Sequence, residues 1–168
     1  MASTYEPIAS HTLTSSATSY TFTSVPSTFT DLVLVVNAQR STTAENPSLT
    51  LRFNSDTGSN YSMTNLLGNG SSASSSRQSN QSMMNLSYHS LPSADSFATY
   101  VISIASYTNT NVYKTVLSAS GHASYGVQRT VGLWRSTAAI TSVTVTNDGS
   151  PTNFSTGCTF SLYGLAAA

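Results

Sequence analysis

Apolar and polar residues alternate along most of this chain, and this period of two is the feature that most restricts its fold. The segment SLTLRF places Leu49, Leu51 and Phe53 on one side of an extended chain, and TYVISIAS repeats the pattern at 99–106. Because side chains alternate between the two faces of a β-strand, each segment predicts a half-buried strand. No segment shows a sustained helical period, so the chain is predicted to be all-β.

Further strands are predicted where β-branched and aromatic residues alternate in the second half of the chain. They are VYKTVLSA at 112–119, VQRTVGLWR at 127–135, AITSVTVTN at 139–147 and GCTFSLYGL at 157–165. DLVLVVNAQ, at 31–39, begins apolar on both faces and predicts a central strand that is covered from two sides. About eight short strands separated by turn-forming residues predict a sandwich or a barrel, with residues 1–168 as a single domain.

Two segments depart from this alternation. GNGSSASSSRQSNQS, at 68–82, is nearly free of large apolar side chains, so it is predicted to be an exposed loop that adds nothing to a core. Residues 1–7 are too polar to seed a core, and they are predicted to form an N-terminal arm ahead of the first strand.

Charged residues are scarce and balanced. Lys, Arg, Asp and Glu make up 7% of the chain, against roughly 25% in an ordinary soluble domain, while about a third of the residues are Ser or Thr. The formal net charge is zero, so no field attracts a polyanion and no nucleic-acid partner is expected. Weak mutual repulsion suits a protein that packs against copies of itself or against a large assembly.

No segment predicts a membrane span or a secretory signal. The longest apolar runs fall short of the ~20 residues that a span requires, and the N-terminus lacks the basic and apolar regions of a signal peptide. We therefore expect synthesis in the cytoplasm and no membrane partner. The lone Cys158 cannot form an intrachain disulfide, and its strand-like setting favours a small buried residue over a reactive thiol.

A carboxylate, amides and a glycine crowd together in NSDTGSNYS. Asn54, Asp56 and Gly58 occupy alternate positions, as the first ligands of a calcium loop do. A calcium loop needs several carboxylates, whereas this segment offers only Asp56. The spacing therefore favours a turn in which Asn54 or Asp56 accepts backbone N–H groups and Gly58 takes a positive φ. No metal site and no cofactor is predicted.

Signals for catalysis are weak. His11, His89 and His122 have no neighbouring acid in the sequence, and GHASYG, at 121–126, is one residue longer than the nucleophile elbow G-x-S-x-G. We predict that the chain is not an enzyme and has no catalytic residues; a Ser/His/Asp set assembled by the fold, as in a glycan esterase, is the alternative left open. The tyrosines are predicted to be mostly inward-facing strand residues, the alternative being carbohydrate or protein contacts: Tyr61, Tyr88, Tyr107, Tyr113, Tyr125 and Tyr163.

Three segments resemble, in the same order, a domain of tailed-phage virion proteins from phages of cyanobacteria and marine bacteria. They are YEPIASHTLTSSATSYTFTSVPSTFTDLVLVVNAQR at 5–40, LRFNSDTGSNYS at 51–62 and LWRSTAAITSVTVTNDGSPTNFSTGCTFSLYGL at 133–165. The most particular elements are RFNSDTGSNYS and the closing FSLYGL. The resemblance implies an antiparallel β-sandwich of the jelly-roll type, found in capsid-decorating proteins and tail fibres and commonly trimeric.

This resemblance implies a structural role on the outer surface of a virion. The leading hypothesis is a capsid decoration or cement protein, a homotrimer that bridges major capsid subunits on the head exterior. The alternative is a tail-fibre or receptor-binding protein that contacts host surface polysaccharide. On the leading hypothesis Tyr5, Glu6 and Pro7 form a segment that docks in extended form on a neighbouring virion protein.

Overall fold

The computed structural model describes residues 5–41, 47–87, 91–93, 96–148 and 153–166, and within these ranges the chain forms β-strands and no helix. In chain order the strands are β1 (Glu6–Thr12), β2 (Ser19–Phe22), β3 (Asp31–Ala38), β4 (Ser48–Phe53), β5 (Tyr61–Gly68), β6 (Ala73–Gln81), β7 (Met84–Asn85), β8 (Ala98–Ile104), β9 (Lys114–His122), β10 (Gly126–Trp134), β11 (Val143–Asp148) and β12 (Thr159–Leu165).

The strands form two antiparallel sheets. The larger sheet has the order β1-β12-β3-β8-β9-β10-β5-β6, and the smaller has the order β2-β11-β4-β7. Buried side chains from both sheets join in one apolar cluster. The arrangement confirms the predicted all-β antiparallel sandwich, although the described residues form twelve strands instead of about eight. The jelly-roll type stays a prediction.

The period of two produces the core. Leu49, Leu51 and Phe53 of β4 are fully buried, as are the inner residues of β8 from Tyr100 to Ile104. Burying each large apolar side chain stabilises the fold by ~1.5–3 kcal/mol. The two sheets meet closely at Gly132 of β10, where an added Cβ would lie 2.1 Å from Met84 Sδ of β7.

The apolar segment at 31–39 is a central strand, as predicted. It forms β3, which pairs with β12 on one side and with β8 on the other. On the inner face Leu32, Leu34 and Val36 are fully buried, whereas Val35 on the other face is only half-buried. The strand is therefore fully covered on one side and partly covered on the other.

The serine-rich segment at 68–82 is not a loop, and the prediction is corrected here. Residues 73–81 form β6, an edge strand paired with β5 from Gly68↔Ala73 to Tyr61↔Gln81. Ladder hydrogen bonds come from the backbone, so a strand can form without apolar side chains when its neighbour is anchored in the core. The expected exposure is observed, because all nine side chains except half-buried Ser76 are exposed.

The predicted N-terminal arm at 1–7 is also corrected. Glu6 and Pro7 belong to β1, where they pair with Gly164 and Tyr163 of β12, while residues 1–4 lie outside the described residues. A strand at the edge of a sheet is held by backbone pairing on one side only, and proline is tolerated there. A sequence pattern that is too polar for a core strand is therefore compatible with an edge strand.

A buried lysine joins the loops at one end of the larger sheet. Lys114 is fully buried, and its Nζ donates to the carbonyl oxygens of Asn109 at 2.6 Å, Val112 at 2.9 Å and Thr137 at 3.2 Å. Burial lowers the pKa of Lys114. Three carbonyl acceptors satisfy its three N–H donors, so this lysine is part of the scaffold.

Two glycines on neighbouring strands differ in the space around them, which gives a test of the packing. A Cβ at Gly126 would lie 2.3 Å from the Gly68 carbonyl oxygen, whereas a Cβ at Gly68 would lie 3.9 Å from Val127. We expect Gly126→Ala to cost ~1–3 kcal/mol of unfolding free energy, because backbone must shift. Gly68→Ala should change it by less than ~0.5 kcal/mol. Urea denaturation of both variants measures the difference, and equal effects would contradict this register.

Candidate interaction surface

The segment that resembles a calcium loop is a turn held by its own carboxylate. Asp56 accepts hydrogen bonds from Gly58 N at 2.8 Å, Asn60 Nδ2 at 2.9 Å and Trp134 Nε1 at 2.7 Å. The predicted role of Asp56 as a turn acceptor is confirmed. All three neighbours are donors, which complement an anion and not a cation.

The predicted positive φ at Gly58 is wrong. Asn54 and Ser55 take the left-handed conformation instead, with φ of 50° and 55°. Asn tolerates this conformation because its short polar side chain bonds locally. Here Asn54 Oδ1 accepts from the backbone N–H of Thr141 at 2.8 Å and of Ser142 at 3.1 Å, which joins the turn to the chain before β11.

Aromatic packing fixes the turn to the core. Trp134 and Tyr61 are stacked with ring centroids 6.4 Å apart, and Phe53 lies 5.5 Å from Trp134. Burial raises the pKa of Tyr61 to about 12, and its hydroxyl accepts from Phe53 N at 3.0 Å. The turn is therefore held against the core by buried aromatic rings.

The other residues considered for chemistry are dispersed. His11 stacks on Tyr20 at 4.4 Å, and His122 Nδ1 lies 2.9 Å from Ser124 Oγ in the β9–β10 turn; His89 lies outside the described residues. Cys158 is buried, as predicted. Within the described ranges no cluster of three or more His, Cys, Asp and Glu could hold a metal, and no helix has the length and apolarity needed to cross a membrane.

The described tyrosines range from buried to exposed. Tyr61, Tyr100 and Tyr107 are fully buried, whereas Tyr113 and Tyr125 are 52% and 43% exposed. The inward orientation predicted for most of them is therefore right for Tyr61 and Tyr107 and wrong for the exposed pair. Tyr88 lies outside the described residues, and Tyr163 is half-buried.

A polar cluster lies on the inner side of β5 and β10. Gln128 Nε2 donates to Asn65 Oδ1 at 3.1 Å and to Thr130 Oγ1 at 3.0 Å, and the hydroxyl of Thr130 donates to Asn65 Oδ1 at 2.6 Å. Gln128 also bonds to the Leu86 carbonyl at 3.1 Å. The cluster is enclosed, so it fixes strand register and offers no surface to a ligand.

The opposite side of the larger sheet is exposed and apolar. Of the ten large hydrophobic residues that are exposed in the described chain, five lie on this one side of β5, β8, β9 and β10. We define the outer face as Leu66, Val101, Leu117, Ala119, Val127, Arg129 and Val131. Directly paired residues share a face, and the register places Val131 opposite Leu117, and Arg129 between Ala119 and Leu66.

The aliphatic side chains of the outer face are strongly exposed to solvent. Val127 is 69% exposed, Leu117 58% and Leu66 55%. A contiguous apolar patch of this kind on a folded protein marks an interaction site. Arg129, which is exposed at the centre, is the one charged member of the set.

A groove of about 900 Å³ runs along one end of the outer face. Glycines surround Val127 at this end, because the register places Gly68 on one side of it and Gly121 on the other, and Gly126 precedes it on β10. A Cβ at Gly121 would lie 2.7 Å from the Gly126 carbonyl oxygen, so the close strand approach requires glycine. The walls include Leu66, Val101, Val127 and Arg129.

The smaller sheet has a different outer side. We call it the hydroxyl face, and it comprises Ser19, Thr21, Thr144 and Thr146, which the register places in two facing pairs. Thr21 Oγ1 and Thr144 Oγ1 are 3.0 Å apart. The two outer sides of the sandwich therefore differ sharply in polarity, and the apolar one belongs to the larger sheet.

The predicted docking segment lies at the far edge of the larger sheet. Tyr5 is 54% exposed, Pro7 is exposed and Glu6 is half-buried. By register Pro7 pairs with Tyr163, which pairs with Val33. The structure thus places this segment three strands away from Val101 of β8, the nearest residue of the outer face in the strand order, and the role predicted for it stays a prediction.

Sequence reasoning missed the outer face. In each strand the sequence pattern was used to find the alternate residues that face the core. The residues between them, which face the other side of the sheet, were given no role. The available signal was the presence of apolar residues at both parities of neighbouring strands, such as Val116 beside Leu117 and Leu133 beside Trp134. A strand with one solvated face normally carries polar residues there.

Comparison with protein-family models, with curated proteins and with solved structures gives no match to this chain. The similarity to tailed-phage virion domains therefore stays a prediction.

The Asp56 turn predicts a pH dependence of stability. Burial alone would raise the pKa of Asp56, but hydrogen bonds from Trp134, Asn60 and Gly58 outweigh it and hold the pKa below its ordinary 3.8. The stabilisation of the fold by the ionised Asp56 carboxylate is therefore present above about pH 4. It is lost as the pH falls through the lowered pKa of Asp56. Between pH 6 and pH 2, Asp56→Asn should lose less unfolding free energy than the unaltered chain.

At neutral pH Asp56→Ala should cost ~0.5–2 kcal/mol, as the loss of a capping acceptor does. A chelator should leave the melting temperature unchanged. A chelator-induced drop of several degrees would contradict the turn interpretation and restore the calcium site.

Proposed function

We propose that this chain is a structural protein of a tailed-phage virion, a capsid decoration or cement protein that bridges major capsid subunits on the head exterior. The observation that carries the proposal is the outer face. Its aliphatic side chains stand in water, and burying each one against another protein would contribute up to ~1.5–3 kcal/mol. A function of binding in an assembly, without catalysis, accounts for such a surface.

Composition and the second outer side support the same proposal. With a net charge of zero, many copies can lie close together on one particle with little mutual repulsion. The hydroxyl face, with Thr21 and Thr144, is suited to remain in solvent when the outer face is covered. In this proposal the sandwich is of the jelly-roll type, forms a homotrimer and binds neither nucleic acid nor membrane.

A second candidate is a tail-fibre or receptor-binding protein that contacts host polysaccharide. The exposed rings of Tyr113 and Tyr125, at opposite ends of β9, favour it, because exposed aromatic rings offer flat apolar surfaces with a polar tip. Labelling of purified particles with antibody separates the candidates. Label on heads supports decoration, label on tails supports the alternative, and absence from particles contradicts both.

Binding to emptied heads of the phage that carries the gene should depend on the outer face. We expect Leu117→Asp to weaken binding at least tenfold, because placing a charge in a dry contact removes more than the ~1.4 kcal/mol that a tenfold change represents. Thr21→Asp makes the same charge change on the hydroxyl face and should leave binding intact. Equal affinities for both variants in a pelleting assay would contradict the assignment of the outer face.

A further inference from the structure

We propose that the outer face binds a protein surface that presents a carboxylate between two apolar side chains. This inference deepens the proposed function, because it names the chemistry by which the partner is recognised. It rests on that function only for the identity of the partner, a major capsid subunit. The chemistry follows from where the described charges lie and from the shape of the surface around Arg129.

Positive charge is concentrated on the outer side of the larger sheet. Arg129 of β10 pairs with Leu66, and Arg77 of β6 pairs with Thr64. All four side chains are exposed. Because directly paired residues share a face, both arginines project to this side. The two arginines lie diagonally across β5, with ~12 Å between their Cα atoms.

A third arginine lies beside them at the end of β10. Arg135 Nη1 donates to Ser62 Oγ at 2.5 Å. Its Nη2 donates to the Ser59 carbonyl at 2.6 Å and to Asn80 Oδ1 at 2.8 Å. These acceptors are neutral, so they hold the guanidinium in place without cancelling its charge.

Carboxylates are scarce on the same side of the sheet. Within the described chain the one carboxylate there is Asp31, at the start of β3, and it accepts from Ser106 N at 2.6 Å. By register it lies ~20 Å from Arg129. The other described carboxylates belong to the inner side of β1, to the β4–β5 turn and to the smaller sheet: Glu6, Asp56 and Asp148. The outer side is therefore positive although the chain has no net charge, and it attracts a carboxylate.

Arg77 and Arg129 are available to such a partner. Among the described residues no hydrogen bond or ion pair engages either guanidinium. The planar fork of an arginine matches the two oxygens of a carboxylate. Leu66 and Val131 lie beside Arg129, and aliphatic neighbours shield a charge pair from water once the contact forms, which strengthens the pair.

Arg129 lies between two recesses in the outer face. The groove of about 900 Å³ includes Val127 and Arg129 among its walls, and a smaller recess of about 320 Å³ is lined by Leu117, Arg129 and Val131. Val127 and Val131 each lie ~7 Å from Arg129 along β10. A partner whose carboxylate meets Arg129 can place one apolar side chain in each recess. An extended segment with apolar, acidic and apolar residues at alternate positions has this spacing.

The surroundings of Arg129 favour a protein over a nucleic acid or an acidic glycan. Leu117 and Val127 are stabilised by contacts that exclude water, and the apolar side chains of another protein provide such contacts. Sugar rings and nucleobases typically stack on aromatic rings, and the outer face contains none. A phosphate backbone also needs many cations, whereas only Arg77 and Arg129 are unengaged among the described residues of this side.

Opposite charges at one position test the sign of the partner's charge. Ser75 is exposed on β6 and pairs with Leu66, so a substitution there leaves the core intact. Against emptied heads of the phage that carries the gene, Ser75→Glu should weaken binding about fivefold, while Ser75→Lys should leave it unchanged or tighter. Thr21→Glu and Thr21→Lys make the same changes on the hydroxyl face and should bind alike. Equal affinities for the two Ser75 variants would contradict the inference.

Arg129 is tested by removing its charge and by keeping it. Arg129→Gln should weaken head binding about tenfold. Arg129→Lys should recover part of the lost affinity, because lysine keeps the charge without the planar fork. Unchanged melting curves establish that each variant is folded. A folded Arg129→Gln variant that binds as tightly as the unaltered chain would count against the proposed contact.

A probe that does not depend on the virion tests the chemistry directly. The probe is an acetylated heptapeptide with Glu at its centre, Leu two positions away on each side and Thr elsewhere, and the control peptide has Gln in place of Glu. In an NMR titration of the full chain, the Glu peptide should shift the methyl signals of Leu66, Leu117 and Val131. It should bind about fivefold more tightly than the Gln peptide, and Arg129→Gln should abolish this difference.

Equal binding of the two peptides, or no shift of these methyl signals, would overturn the inference. An oligogalacturonate that binds at the same methyl groups more tightly than the Glu peptide would also overturn it, because the site would then select an acidic glycan. The peptide and head assays separate the two proposals. Peptide discrimination without head binding removes the proposed function and keeps the inference, whereas head binding that is insensitive to the charge at Ser75 and Arg129 does the reverse.

Discussion

The packing of the inner side of the eight-stranded sheet against a sheet of half its width is the interaction on which the rest of the structure depends. Leu51 and Phe53 of β4 and Ile102 of β8 are fully buried in the same core cluster. β10 and β5 of the larger sheet are also held on their inner side by hydrogen bonds from Gln128 to Asn65 and to the Leu86 carbonyl. Because a slip of one residue would reverse every side chain, both kinds of contact hold the register.

The same register determines which residues face outward. With Gln128 and Thr130 directed inward, Val127, Arg129 and Val131 of β10 have to face solvent. The apolar outer face is therefore a direct consequence of the strand alignment that the core requires. In a free monomer this surface is exposed to water, whereas in an assembly it would be buried. We propose that partner proteins cover it.

Much of the fold follows from the sequence because alternation and burial are local signals. β4, β8, β10 and β12 were predicted close to their observed bounds, and Asp56 was correctly predicted to be a turn acceptor. β5 was missed because Asn65 interrupts the apolar parity, and β6 was missed because an edge strand needs only backbone pairing. The Trp134 donor to Asp56 lies 78 residues away, so only the assembled sheet could show it.

The sequence pattern also could not show which strands lie next to each other in the sheets. β3 pairs with β8 and β12, both distant along the chain, and the outer face exists only because β5, β8, β9 and β10 become adjacent. Apolar residues at both parities of a strand were visible, but whether the second face is covered or exposed depends on whether another layer packs on that side of the sheet. That arrangement is a property of the whole fold.

The central claim is that the outer face is covered when the protein is in place. Hydroxyl-radical footprinting of the free chain, diluted to monomer, and of intact particles tests it most directly, because oxidation of Leu and Val side chains reports their exposure to solvent. Our account predicts that Leu66, Leu117 and Val131 are strongly labelled in the free chain and protected in the particle, while Tyr113 stays labelled. Equal labelling of the outer face in both states would contradict it.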